Sequence, residues 1–198
     1  FEKESNKIAN VITRLEITKG DVVGIFLPRS PILINCFLGI LKPQAISCVL
    51  FSTLGEDALL DRLGNSEARI VITKKSLVRK ILAIKDQLPH LQYILVVDQD
   101  QHQNYFILSL NELLNDAGDS FEYEHFIDPE TPAFLQYTSG STGKPKGALH
   151  VHGAITDITQ SFDEVMQLES EDRYWCTADP AWITGLSYGI IAPLSNMV

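Results

Sequence analysis

Short apolar runs recur along the chain, and most are separated by stretches whose apolar residues are spaced for a helix. The runs are VVGIFL (22–27), ISCVLF (46–51), RIVIT (69–73), YILVV (93–97), AFLQYTS (133–139), ALHV (148–151) and RYWCTAD (173–179). Largely apolar runs of this length predict buried strands. Strands that alternate with helices predict βαβ units. The expected fold is therefore α/β: a mostly parallel, doubly wound sheet with flanking helices.

The helical stretches carry their own signals. Ile8, Val11, Ile12 and Leu15 fall on one helical face. Ser30 before Pro31 is a helix start, and Pro43 ends that helix near Lys42. Residues 55–68 predict a short helix with Gly64 near its end, and 76–88 predict another. Ser109 and Glu112 have capping-box spacing. Ile155, Ile158, Phe162, Val165 and Met166 mark one more helical face, and 186–197 read as an apolar helix. Residues 116–132 are acidic and proline-bearing, an exposed connection between a first α/β portion, 1–115, and a second, 133–198.

Composition narrows the partners. With 45% hydrophobic and 21% charged residues the chain can build an ordinary core. A formal net charge of -9 argues against a nucleic-acid surface, yet one basic loop suffices for a small phosphate ligand. Cys36, Cys48 and Cys176 are scattered without ligand spacing, which predicts reduced, buried thiols in a reducing compartment. No signal peptide is read at Phe1, and Lys42 and Pro43 interrupt the most apolar region, 31–51, so no membrane span is expected. A cytoplasmic location follows as the expectation.

One loop concentrates chemistry. In QYTSGSTGKPKGALH (136–150), Gly140, Gly143 and Gly147 permit close backbone approach. Thr138, Ser139, Ser141 and Thr142 offer hydroxyls, Lys144 and Lys146 supply charge, and successive N–H groups can cradle an anion. A surface linker could share that composition. The loop is not a Walker A motif: only Ser141 and Thr142 separate Gly140 from Gly143, and Pro145 follows Lys144 where a magnesium-binding hydroxyl is required. His150 and His152 alternate along LHVH and could share a face of a strand. No third ligand lies nearby, so a structural role is expected rather than a metal site. Asp179 before Pro180 reads as a turn former.

The string YTSGSTGKPKGALH resembles the phosphate-binding signature of the adenylate-forming enzymes. WCTADPAWITGLSYGIIAPL (175–194) is similar to the matching stretch of the AMP-forming acetyl-CoA synthetase branch, and 20–42 and 50–73 also resemble that branch's N-terminal region. Two departures stand out: Pro43-Gln44 and Ala181 occupy positions where the family usually has a glycine.

The resemblance implies a ligase that activates a short-chain carboxylate with ATP and Mg2+ as acyl-AMP and passes it to coenzyme A. Thr138, Ser139, Gly140, Ser141, Thr142, Gly143, Lys144 and Lys146 would then hold the ATP phosphates. Trp182, Ile183, Thr184 and Gly185 would line the acyl pocket and pantetheine tunnel. Lys74, Lys75, Arg79 and Lys80 read as a solvated helix start, with the phosphates of coenzyme A as the alternative. The family's adenine-binding segment, ribose-binding aspartate, hinge and catalytic lysine have no match before Val198. The chain is thus expected to be the incomplete N-terminal part of the large domain, with no catalytic residue, inactive by itself and needing the remainder of the ligase. A medium-chain or aryl ligase fragment is the alternative within the superfamily; a non-catalytic nucleotide-binding remnant or interaction module is the alternative outside it.

Overall fold

The structure, a computed structural model, describes residues 1–124, 126–138, 143–169 and 171–196. The chain opens with helix α1 (Glu2–Arg14), followed by β1 (Val22–Phe26), α2 (Pro31–Leu41), β2 (Ile46–Leu50), α3 (Glu56–Ser66) and β3 (Ile70–Thr73). Next come α4 (Val78–Leu82), β4 (Tyr93–Val96), β5 (Ile107–Ser109), α5 (Leu110–Asn115), β6 (Pro132–Thr138), β7 (Lys146–Val151) and α6 (Gly153–Met166). Helices α7 (Ile183–Leu186) and α8 (Ala192–Ser195) close the described chain. The strands form one sheet in the order β5-β4-β3-β1-β2-β6-β7. Every pairing is parallel except β6 with β7, which is antiparallel.

The sheet is doubly wound because its strands are apolar on both faces. Val23 and Ile25 of β1, Val49 of β2, Ile70 and Ile72 of β3 and Leu95 of β4 pack with Ile8, Val11, Ile12, Leu33, Phe37 and Ile40 of α1 and α2. The alternate residues Val22, Phe26, Cys48, Leu50, Val71, Ile94 and Val96 face the other layer, with Leu59 and Leu63 of α3 and Ile81 of α4. Period-two alternation thus feeds two cores at once. Helices α1 and α2 cross so closely that a Cβ on Gly39 would lie 2.5 Å from the Ile8 Cβ.

Several local expectations give way. Residues 173–179 form no strand; the carbonyls at 176–178 accept hydrogen bonds from the Arg29 guanidinium instead of from a neighbouring strand. The helix expected at 76–88 is split into a 3-10 turn at Lys75–Leu77, α4, and a second 3-10 turn at Lys85–Gln87. Tighter turns advance the backbone further per residue, so this crossover reaches β4 while Ile81, Ile84, Leu88 and Leu91 stay buried. Gly64 lies inside α3, and the left-handed cap is Glu67, with φ 54°. Strand β5 went unread because three residues give too short a pattern. The capping box at α5 is half formed. Ser109 Oγ accepts from the Glu112 N–H at 3.1 Å, while the Glu112 carboxylate turns to His102, 2.6 Å away. The apolar helix near the end is interrupted by a π turn at Ser187–Ile191. Pro193 has no N–H and its ring crowds the carbonyl four residues earlier, and the widened turn relieves both.

The two departures from the family pattern differ in consequence. Gln44 has φ 60°, the left-handed region that favours glycine, and its Oε1 is buried without a hydrogen-bond partner. Its Nε2 donates to Glu124 at 2.9 Å. Ala181 is buried with ordinary negative φ, and its N–H donates to Asp179 Oδ1 at 2.9 Å.

Candidate functional site

The carboxyl ends of three neighbouring parallel strands gather the candidate residues. β1 leads to Arg29, β2 to Phe51, and β6 ends at Thr138. Ligands of open α/β sheets bind in the crevice beyond such ends, so topology alone brings these segments together.

The described phosphate-loop candidates, Thr138, Gly143, Lys144 and Lys146, flank the tip of the β6–β7 hairpin. Thr138 pairs with Lys146 and Tyr137 with Gly147 in the antiparallel register. Thr138 Oγ1 lies 3.5 Å from the Lys146 carbonyl. The base of the loop is anchored by Tyr137, whose hydroxyl sits 2.8 Å from Asn65 Oδ1 and 3.0 Å from the Arg62 carbonyl. Burial pushes its phenol pKa well above the ordinary value, and the Arg62 guanidinium lies 5.7 Å above its ring. Gly143 takes φ 96° with open space around it, so conformation and not room requires glycine there. Lys144 Nζ stands 3.9 Å from Asp61 Oδ1 of α3, with the lysine side chain 88% exposed. An ion pair that open is weak, which leaves the ammonium available to a polyanion. Lys146 is exposed on β7. Ser139, Gly140, Ser141 and Thr142 lie outside the described residues.

The acyl-pocket candidates form a turn that runs into α7. Asp179 Oδ1 accepts from the Ala181 N–H, and its carbonyl accepts from the Trp182 N–H at 2.9 Å, the turn-forming role expected of it. Trp182 caps α7, and its ring packs edge-on against Phe51 at 5.3 Å. Ile183 and Thr184 are exposed beside it. Gly185 is buried so tightly that a Cβ would lie 2.0 Å from the Asp179 carbonyl oxygen. Any side chain there would force 178–179 away from α7. The two candidate groups are tied together by Gln136, which is buried in β6 and donates to the Pro180 carbonyl at 3.3 Å.

Other candidates resolve into packing. His150 stacks on Phe134 at 4.6 Å, and burial lowers its pKa. His152 falls beyond the end of β7, its Nε2 buried without a partner, and burial and Lys19 lower its pKa. Among the described residues no group of three or more His, Cys, Asp or Glu could hold a metal ion. Lys80 donates to the Leu54 carbonyl at 2.7 Å with its ammonium 5.8 Å from the Phe26 ring centre, so at least one member of the basic cluster braces α4. Cys36 and Cys48 are buried, and burial raises both thiols, that of Cys48 to about 12. Cys176 is the partly exposed one.

Sequence reasoning missed Arg29, Phe51, Asp61 and Gln136. Gln136 carried a readable signal, a polar residue inside an apolar strand; the other three lie far in sequence from what they touch.

Mostly parallel α/β sheets that carry glycine-rich loops at their carboxyl edges make up a class of proteins that bind nucleotides. The chain belongs to the AMP-binding enzyme family, whose sequence profile matches residues 1–197. It is 44% identical over 197 residues to an acetyl-coenzyme A synthetase of Bacillus subtilis, covering 99% of this chain and 34% of that protein. An acetyl-coenzyme A synthetase of Rubrobacter xylanophilus is 34% identical over 210 residues, covering 99% of this chain and 32% of that protein. Among solved structures, a Brucella canis acyl-CoA synthetase superposes with a TM-score of 0.86 at 26% identity, covering 98% of this chain and 34% of that one. An anthranilate CoA ligase in complex with anthranoyl-AMP gives 0.90 at 27% identity, covering 97% and 37%. The chain spans about a third of the length of the curated relatives it matches.

Proposed function

We propose that this chain is the phosphate-gripping and acyl-pocket part of an AMP-forming ligase that joins a short-chain carboxylate, acetate in the first instance, to coenzyme A. The observation that carries the reading is the tether between the two candidate groups. Gln136, two residues before the loop, holds Pro180, two residues before Trp182. One strand therefore links the two candidate groups, which supports reading them as parts of one site. The 44% identity to an acetyl-CoA synthetase supports acetate over an aryl acid, since the aryl-ligase structure is 27% identical.

In the proposed reaction a carboxylate oxygen attacks the α-phosphorus of ATP and pyrophosphate leaves, forming acyl-AMP. The thiol of coenzyme A then displaces AMP. Charge neutralisation and positioning do most of the work in such displacements. Lys144, together with N–H groups and hydroxyls of the segment 138–146, would neutralise the leaving phosphates. Magnesium would enter with ATP. Trp182 and Ile183 would wall a pocket for a small acyl group, and the tunnel beside Thr184 and Gly185 would admit pantetheine. Residues outside the matched third of the relatives would supply the adenine site and the catalytic lysine. A cytoplasmic location belongs to the same reading, supported by three unpaired cysteines; among the described residues no helix is long and apolar enough to cross a membrane.

The test is a chimera in which this chain replaces the matching third of the Bacillus subtilis relative. Acetate-dependent exchange of pyrophosphate into ATP is expected, reduced about 100-fold by Lys144→Ala. A folded chimera that exchanges only with larger or aryl acids would refute the acetate assignment.

A further inference from the structure

We infer that Arg29 is a positioning residue for the acyl turn, fixing the backbone of 176–178 and through it the placement of Trp182. Arg29 follows β1 directly, and its guanidinium donates to three consecutive carbonyls. Nη1 reaches Cys176 O at 3.2 Å, Nη2 reaches Thr177 O at 2.8 Å, and Nη2 also contacts Ala178 O. Among the described residues, no backbone–backbone hydrogen bond links 173–179 to the sheet. The segment thus has strand-like composition, no strand partner, and one cation in the place of a ladder. A forked planar donor suits this task because it can serve adjacent carbonyls from a fixed geometry, which a lysine ammonium cannot reproduce.

The bracing continues into the turn. Ala178 and Asp179 are the residues against which Gly185 is packed, and the Asp179 carbonyl holds the Trp182 N–H. The Trp182 ring rests on Phe51. Arg29 from the end of β1 and Phe51 from the end of β2 thus reach the turn from two adjacent strands, one through its backbone and one through its ring. A cavity of about 280 Å³ lies behind the segment, lined by Arg29, Tyr174, Cys176 and Gly185. Loss of the guanidinium would let 176–178 relax into that space. The inference rests on the assignment of 182–185 to the acyl pocket, because only then does the placement of Trp182 bear on substrate.

The 198-residue chain carries its own reporters. It has two tryptophans, so a Trp175→Phe background leaves Trp182 as the sole indole. Cys176 is the only cysteine that is not fully buried, so its reaction with a disulfide reagent reads the segment directly. In that background Arg29→Met is expected to red-shift Trp182 emission, increase its quenching by acrylamide and speed Cys176 modification several-fold. Millimolar guanidinium, well below denaturing levels, should partly reverse all three, which a general loss of stability would not do. Arg29→Lys should behave like Arg29→Met, and it carries the test if the methionine variant does not fold. Folded variants with unchanged Trp182 and Cys176 signals would overturn the inference. The chimera with the Bacillus subtilis relative separates the two readings. If Trp182→Ala there widens the acid preference of pyrophosphate exchange while Arg29 variants change nothing, the pocket stands and the role of Arg29 falls. If Arg29 variants respond as expected while Trp182→Ala leaves the acid preference unchanged, the brace stands and the pocket assignment falls.

Discussion

The five strands β5-β4-β3-β1-β2 and the β6–β7 hairpin with its neighbouring turn belong to one sheet but obey different rules. In β1 and β2 every residue is buried. In β7 the residues 146–149 are exposed, and Leu149 is 52% accessible. The parallel region makes two cores, and the hairpin spends its residues on a loop, two lysines and a turn. Stability is concentrated in the first region and the proposed ligand chemistry in the second, so substitutions should separate the two properties.

The largest effect should come from the core. Phe26 is fully buried beneath α3 and α4, and Phe26→Ala should cost about 3–5 kcal/mol in urea unfolding. Leu149→Ala should cost within about 0.5 kcal/mol, as expected of an exposed site. Equal costs would break the comparison. Next in size is a functional effect without a stability effect. Lys144→Ala should weaken magnesium-ATP binding severalfold, while its urea midpoint stays unchanged because its ion pair with Asp61 is exposed.

A pH effect should follow at the hairpin. His150 and His152 both have pKa values lowered from 6.5 by burial. The unfolded chain therefore binds protons that the folded chain does not, and stability should fall as pH drops below about 6.5. His150→Phe keeps the stack on Phe134 and should flatten that slope. A slope unchanged in the variant would remove His150 from the account.

The smallest effect belongs to the parallel region. Gln44→Gly relieves a left-handed backbone and removes an unpaired buried oxygen, at the loss of the bond to Glu124. A gain of about 0.5–1 kcal/mol is expected, read as a rise of about 1–4 °C in melting temperature. A fall would mean that the Glu124 bond outweighs the backbone strain.

Legibility in the sequence follows the same division. Ile8, Val11 and Ile12, and the paired faces of β1 to β4, were readable because burial imposes a period on the residues. The unusual glycine replacement at Gln44 was visible as a departure, and its left-handed backbone gives that departure a physical meaning. Residues 173–179 misled because apolar composition suits a strand and also suits a segment held by a side chain. Arg29, Phe51 and Asp61 act across long sequence separations, at strand ends that only the topology brings together. The proposed phosphate loop stood out by its residue types, while the anchoring of Tyr137 to α3 was not readable.

The central claim is that the loop between β6 and β7 grips the phosphates of ATP. Calorimetric titration of the folded 198-residue chain with magnesium-ATP tests it most directly. The account predicts measurable heat, competition by free pyrophosphate, and marked weakening in Lys144→Ala. Binding that pyrophosphate does not displace and Lys144→Ala does not weaken, or no heat at all from the folded chain, would contradict it.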